Sequence, residues 1–237
     1  MNEKEYQRPS PEALLELAKA EEKKNRGKLT IYFGAAPGVG KTYTMLLDAH
    51  QQKQEGSDVV VGYVETHGRP ETDALLEGIE ILPPLIVKYK GMLLKEVDLA
   101  KVLARKPNLV LVDELAHTDA PGLRNAKRYQ DIEEILNAGI DVYTTMNVQH
   151  IESLNDIIHQ ITDIRVHETV PDTAFEAADE IKLVDLPPEE LLKRLHEGKV
   201  YVKDMARSAV KKFFRPGNLL ALRQLALRTV AGSVDEK

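Results

Sequence analysis

Phe33-Gly34-Ala35-Ala36-Pro37-Gly38-Val39-Gly40-Lys41-Thr42 follows an apolar run from Leu29 and opens into Tyr43 to His50, whose pattern is helical. A strand, a glycine-rich turn and a helix with Gly-Lys-Thr at its mouth form the arrangement of a phosphate-binding loop, or P-loop. In such a turn, backbone N–H groups cradle a β-phosphate with help from the positive end of the helix. Lys41 then neutralises the β- and γ-phosphates, and the Thr42 hydroxyl ligates Mg²⁺. Gly38 and Gly40 suit the turn because a side chain there would hold the backbone away from the anion. The strict motif has a glycine five places before Gly40. This chain has Ala35 there and Gly34 one place earlier. Alanine is a small replacement, so Gly34 to Thr42 (Gly34, Ala35, Ala36, Pro37, Gly38, Val39, Gly40, Lys41 and Thr42) reads as an intact nucleotide site. The bland alternative is a glycine-rich turn that happens to precede Lys-Thr, and a second, carboxylate-bearing strand would decide against it.

Asn108-Leu109-Val110-Leu111-Val112-Asp113-Glu114 supplies that strand. An apolar strand ending in Asp-Glu matches the Walker B pattern, with Asp113 holding Mg²⁺ and Glu114 placed to polarise an attacking water. Glu114 is therefore the candidate base. A binding site in which Glu114 catalyses nothing remains open at this stage.

Between these anchors, Asp58 to Val64 is β-branched and short, which reads as a buried strand. Glu65, His67 and Arg69 follow at its carboxyl end, the edge that faces ligand in open α/β sheets. Either chemistry or a solvated polar loop fits them. Pro83-Pro84 breaks the chain before a strand at Leu85-Ile86-Val87, and Leu94 to Ala104 reads as an amphipathic helix. Two strand candidates between the P-loop and Asp113, with the acid after Asp113, favour the ATPase branch of the fold over the GTPase branch. No Asn-Lys-x-Asp motif for reading guanine is present, so ATP is the expected nucleotide.

Beyond Asp113, a loop from His117 to Gly122 leads to Arg124, Lys127 and Arg128 and a helix through Leu136. The basic residues read as a solvated helix face, with contact to phosphate or a neighbouring subunit as the alternative. Ile140 to Thr145 is the next strand. Its polar end puts Thr145 and Asn147 where they could report on the γ-phosphate. Ile151 to Ile161 reads as a helix. Asp179 to Asp185 alternates like a last or edge strand, Pro187-Pro188 opens a helix through His196, and further helices run from about Lys203 to Phe214 and from a cap at Asn218 through Val230. Their apolar residues either cover the sheet or make a subunit contact, which leaves a homodimer open. Near the start, Ser10-Pro11-Glu12 is a helix opening.

The 237 residues are 43% hydrophobic and 30% charged, an ordinary globular composition, with a net charge of −6. That charge argues against a general nucleic-acid binder. No cysteine occurs, so disulfides and thiolate metal sites are excluded. The seven histidines show no metal-ligand spacing in the sequence, so no transition metal is assigned. No apolar run approaches a bilayer-spanning length and no signal-peptide core is present, so a cytoplasmic body is expected.

Val112 to Thr118, Ala120-Pro121-Gly122, Lys127-Arg128, Ala138 to Asp141, Asn147 to His150, Glu152 to Asp156 and Glu168 to Asp172 together resemble the N-terminal cytoplasmic domain of KdpD-type sensor histidine kinases. Phe213 to Asn218 and Leu222 to Arg228 extend the resemblance, which covers nearly the whole chain from Gly27 onward. It implies a domain that precedes a universal-stress-like domain, membrane helices and a kinase core, and that takes part in potassium and turgor signalling. Those later parts are absent from this sequence, which is then either an excised fragment or a truncated relative. The partners implied are ATP and the remaining domains of the sensor kinase, in cis or in trans. His150-Ile151-Glu152 lacks the surroundings of a phosphoacceptor histidine, and no Asp-x-Gly-x-Gly lid follows.

The expectation is therefore an α/β fold, a mostly parallel P-loop NTPase-like sheet flanked by helices. The divisions are an N-terminal helix and connector over 1–27, a nucleotide-binding core over 28–172, and a C-terminal strand with helical extension over 173–237. The leading reading is an Mg²⁺-ATP-binding regulatory domain. The competing ones are a freestanding P-loop ATPase or small-molecule kinase, and an interaction module that keeps a vestigial site.

Overall fold

The structure, a computed structural model, describes residue 10, residues 25–200 and residues 207–235. The helix expected to open at Ser10 continues into residues outside that set.

Strand β1 (Leu29–Gly34) runs into helix α1 (Lys41–Gln54), and β2 (Val59–Tyr63) is followed by the short helix α2 (Pro70–Asp73). Then come β3 (Glu80–Ile81), β4 (Leu85–Tyr89), β5 (Met92–Glu96), α3 (Leu99–Arg105) and β6 (Leu109–Val112). The second half contains α4 (Arg128–Asn137), β7 (Asp141–Asn147), α5 (Asn155–Thr162), α6 (Asp172–Glu176), β8 (Glu180–Leu183), α7 (Pro188–His196), α8 (Arg207–Phe213) and α9 (Pro216–Asp235).

Six strands form one parallel sheet in the order β3-β2-β6-β7-β1-β8. Both faces are covered, which is why the central strands read as unbroken apolar runs rather than alternating ones. Within each strand the side chains still alternate. Ile31, Phe33, Val110 and Val112 join the core under α4, α5 and α9, while Tyr32, Leu109 and Leu111 join a second core under α1 with Met45, Leu46 and Ala49. Phe213, Phe214, Leu219 and Leu222 are buried in the first core, so these C-terminal residues cover the sheet. Because every strand is parallel, the carboxyl ends of β1, β2, β6 and β7 share one edge.

Two local readings of the sequence need correction. Leu85-Ile86-Val87 is a strand, but it belongs to a separate antiparallel hairpin, β4–β5, outside the main sheet. The strand that stands between β1 and β6 in space is β7, which comes later in the chain. The expected helix over Leu94 to Ala104 is also split, since Leu94 to Glu96 finish β5 and the helix starts only at Leu99. Lys90 and Gly91 have φ of 48° and 82° between the paired residues Tyr89 and Met92. That is the two-residue hairpin turn with both central residues left-handed, written here with Lys-Gly in place of the commoner Asn-Gly. Asp98 then caps α3 by accepting the Lys101 N–H at 3.1 Å.

Candidate functional site

The turn between β1 and α1 has Gly38 at φ 90° and Gly40 at φ 104°, left-handed values that an L side chain rarely adopts. A Cβ on Gly38 would meet the Val200 side chain at 2.6 Å, and one on Gly34 would meet Val39 Cγ2 at 2.6 Å. The glycine at 34 is therefore required by its own loop, which folds back onto it, and this accounts for the glycine one place earlier than the strict motif. Ala36 and Val39 are buried under the turn. Ala35 is half-buried at its start. Arg194 of α7 donates from Nη1 to the Gly38 carbonyl at 3.0 Å, so the C-terminal part of the chain braces the loop.

Register places the rest. Gly34 pairs with Asn147 across β1 and β7, and Asp113 follows directly on β6. The Thr42 hydroxyl donates to Asp113 Oδ2 at 3.1 Å, although the two residues are 71 positions apart. The Thr145 hydroxyl donates to Asp113 Oδ1, and the Glu114 N–H lies 3.1 Å from the same oxygen. Asp113 is thus held on both oxygens by residues from α1, β7 and its own strand end. Thr145 both lines the cleft and holds Asp113. Asn147 lines the cleft itself, and its side-chain oxygen is buried with no hydrogen-bond partner among the described residues.

The cleft at this edge has a volume of about 430 Å³. Pro37, Gly38, Gly40, Lys41, Thr42, Asp113, Glu114, Thr145 and Asn147 line it, together with His67, Arg69 and the segment from Ile164 to Glu168. Of the three residues after β2, His67 and Arg69 face the cleft. Glu65 is turned to His67, accepting its N–H at 3.1 Å.

Burial pushes the Lys41 ammonium down to about 8, opposed by the charge of Asp113 and aided by that of Arg69. An anionic ligand in the cleft would favour the charged ammonium and be neutralised by it. His150 Nδ1 lies 2.7 Å from the Glu168 carbonyl, so that nitrogen carries the proton. Burial lowers the affinity of the ring for a second one. Glu114 has φ 61°, a left-handed backbone for a non-glycine residue, and such strain gathers at functional sites.

The oxygens of Thr42 and Asp113 already converge, and hard oxygen donors of this kind suit Mg²⁺ with its remaining positions filled by water and phosphate.

Comparison with known proteins bears on what this edge belongs to. Residues 25–234 match the family described as the osmosensitive K⁺ channel His kinase sensor domain, KdpD. The chain belongs to the KdpD sensor-domain family. The sensor protein KdpD of Escherichia coli K12 is 56% identical over 97% of this chain, and that of Clostridium acetobutylicum is 54% identical over 97%. A putative sensor protein KdpD of Synechocystis is 53% identical over 89% of the chain. The chain spans about a quarter of the length of the first two relatives (25% and 26%).

Within this KdpD sensor domain, sequence reasoning missed two residues behind the site. Arg128, read as part of a solvated helix face, has no solvent exposure. Its guanidinium donates to the Asp113 carbonyl at 3.0 Å and to Glu96 Oε2 at 3.0 Å, and it stacks on the Tyr63 ring at 4.3 Å. Glu96, the last residue of the β4–β5 hairpin, also accepts from the Ala120 N–H at 3.0 Å and meets His117 Nε2 at 2.9 Å. An arginine at the first position of a helix, directly after the loop that follows Asp113, is the only signal that pointed inward. Among the described residues, no helix is long and apolar enough to cross a membrane.

Proposed function

We propose that this domain binds Mg²⁺-ATP at the β1–α1 loop and serves as the nucleotide-dependent regulatory domain of a KdpD-type sensor kinase in potassium signalling. Lys41 supplies the cation for the β- and γ-phosphates, and the turn amides between Gly38 and Thr42 supply donors at a helix N-terminus. Thr42 and Asp113 offer the oxygens for Mg²⁺. The magnesium, once bound, neutralises phosphate charge. The observation that carries the reading is the 3.1 Å contact between Thr42 and Asp113, beneath a turn whose two glycines are left-handed. The other domains of the sensor kinase, in cis or in trans, are the partners through which nucleotide occupancy would act.

Calorimetric titration of ATP with and without Mg²⁺ tests this directly. Wild-type protein should bind ATP in both conditions and more tightly with Mg²⁺. Asp113→Asn should remove most of the Mg²⁺ enhancement and leave Mg²⁺-free binding almost unchanged. Equal losses in the two conditions would overturn the assignment of Asp113 to the metal.

Glu114 supports a second reading. Its strained backbone and its place beside Asp113 on the cleft wall suit a group that orients water, the role required if the domain also hydrolyses ATP.

A further inference from the structure

Behind the Asp113 strand end lies a second set of ligand-bearing side chains that the ATP reading does not use. His117 and Asp119 sit two residues apart in an extended segment, so their side chains leave the same side of the backbone. Both turn toward Glu96, 21 positions before His117. His117 Nε2 lies 2.9 Å from Glu96 Oε2. One ligand atom from each of Glu96, His117 and Asp119 falls within 4.8 Å of the other two. Glu96 and Asp119 are buried, and His117 is half-buried.

Asp119 is only 6% exposed, and neither of its carboxylate oxygens has a hydrogen-bond partner among the described residues. Its neighbours hold their bonds elsewhere: the Asp119 N–H goes to the Ala126 carbonyl, and the adjacent Asp131 accepts from Asn125. A buried carboxylate without a donor is costly, and it is relieved either by protonation or by a cation. Burial, reinforced by the charge of Asp131, raises its affinity for a proton. The side chain is thus poised for a positive ligand.

We infer that Glu96, His117 and Asp119 form a binding site for a borderline divalent metal ion such as Zn²⁺, separate from the Mg²⁺-ATP site. One imidazole and two carboxylates with a water in the fourth position is a donor set that Zn²⁺ accepts, whereas Mg²⁺ prefers oxygen alone. Tetrahedral ligands at about 2.0–2.2 Å from the ion stand roughly 3.4 Å from one another, so closure asks for about 1.5 Å of movement at most. The ion takes the place of the His117–Glu96 hydrogen bond, and the proton between them leaves to solvent. Arg128 and the Ala120 N–H remain on Glu96 as the outer partners that orient a ligating carboxylate. The sequence hides the site because its third ligand comes from the end of the hairpin.

Co²⁺, which gives a visible absorption band when bound in a nitrogen–oxygen tetrahedral site, serves as the probe on the whole chain without nucleotide. Wild type should develop the band with an end point at one equivalent, and Zn²⁺ should displace it. Asp113→Asn, which changes none of the three proposed ligands, should leave the band in place. Asp119→Asn and His117→Gln should each abolish it, with far-UV circular dichroism unchanged. Absence of a stoichiometric band in wild type would overturn the inference. So would survival of the band in both variants, or its loss in Asp113→Asn, which would put the ion at the P-loop. Should either ligand variant fail to fold, the other decides.

Discussion

Arg128 donates to the main-chain carbonyl of Asp113 at 3.0 Å from a position without solvent exposure. The strand end that presents the Asp113 carboxylate to the cleft is thereby anchored from behind by a charge. The same guanidinium holds Glu96, whose side chain is 3% exposed. The ion pair is dry.

Arg128→Ala should lower stability by about 3–5 kcal/mol, because removing one partner leaves a buried carboxylate uncompensated. Urea unfolding measures it. Combining Arg128→Met with Glu96→Gln should recover much of the loss, and a double variant as unstable as Arg128→Ala would mean that packing, not the charge pair, holds this site.

Lys41→Ala should weaken ATP binding by about 1.5–3 kcal/mol, the scale of a charge-assisted hydrogen bond to phosphate. Calorimetry on the folded variant is the measurement. Affinity equal to wild type would move the nucleotide away from the β1–α1 turn.

Glu114→Gln separates regulation from hydrolysis. If wild type turns ATP over, the variant should be slower by about 10²–10⁴, the usual cost of losing a general base, with ATP affinity almost intact. Steady-state phosphate release reads the rate. Equal turnover by the two proteins would dismiss Glu114 as the base.

Asp119→Asn should stabilise the protein in chelator-containing buffer, and only above a threshold pH. The carboxyl is raised from 3.8 to about 6 by burial and by Asp131. Folding therefore disfavours its charged form: the penalty is absent below pH 3.8, grows between 3.8 and 6, and is constant above. The gain at pH 7.5 should be on the order of 2–3 kcal/mol and should vanish near pH 4. Urea midpoints at the two pH values test it, and an equal gain at both would remove the titration from the explanation.

How much of this was legible depended on how local each signal was. The β1–α1 turn and the strand ending at Asp113 were readable because strand, turn chemistry and helix lie side by side in the chain. Thr42 and Asp113 are far apart, yet each carries its own motif. Glu96 and Arg128 carry none. Their pairing depends on a hairpin that the sequence disguised, since Leu93 and Leu94 fit the start of a helical stripe as well as a strand, and Lys90-Gly91 is a weak turn signal. A buried arginine on a helix also looks like a surface arginine until the helix is docked. The glycine one place early at Gly34 has a local reason that the sequence did not show, since Val39 leaves no room there for a side chain.

The sheet order also decides when the β1–α1 turn can take its shape during synthesis. β1 is made first among the described strands, yet its two neighbours are β7 and β8. Lys28 bonds to Asp141 across 113 positions, and Leu29 to Asp179 across 150. Until those partners leave the ribosome, the first strand of the chain has both edges open and its apolar residues uncovered, the state in which strands pair with the wrong neighbour. A nascent chain ending before residue 141 would thus carry the whole glycine-rich motif without the neighbouring strands that shape it, and the interval between the two is where this domain would lean most on chaperones.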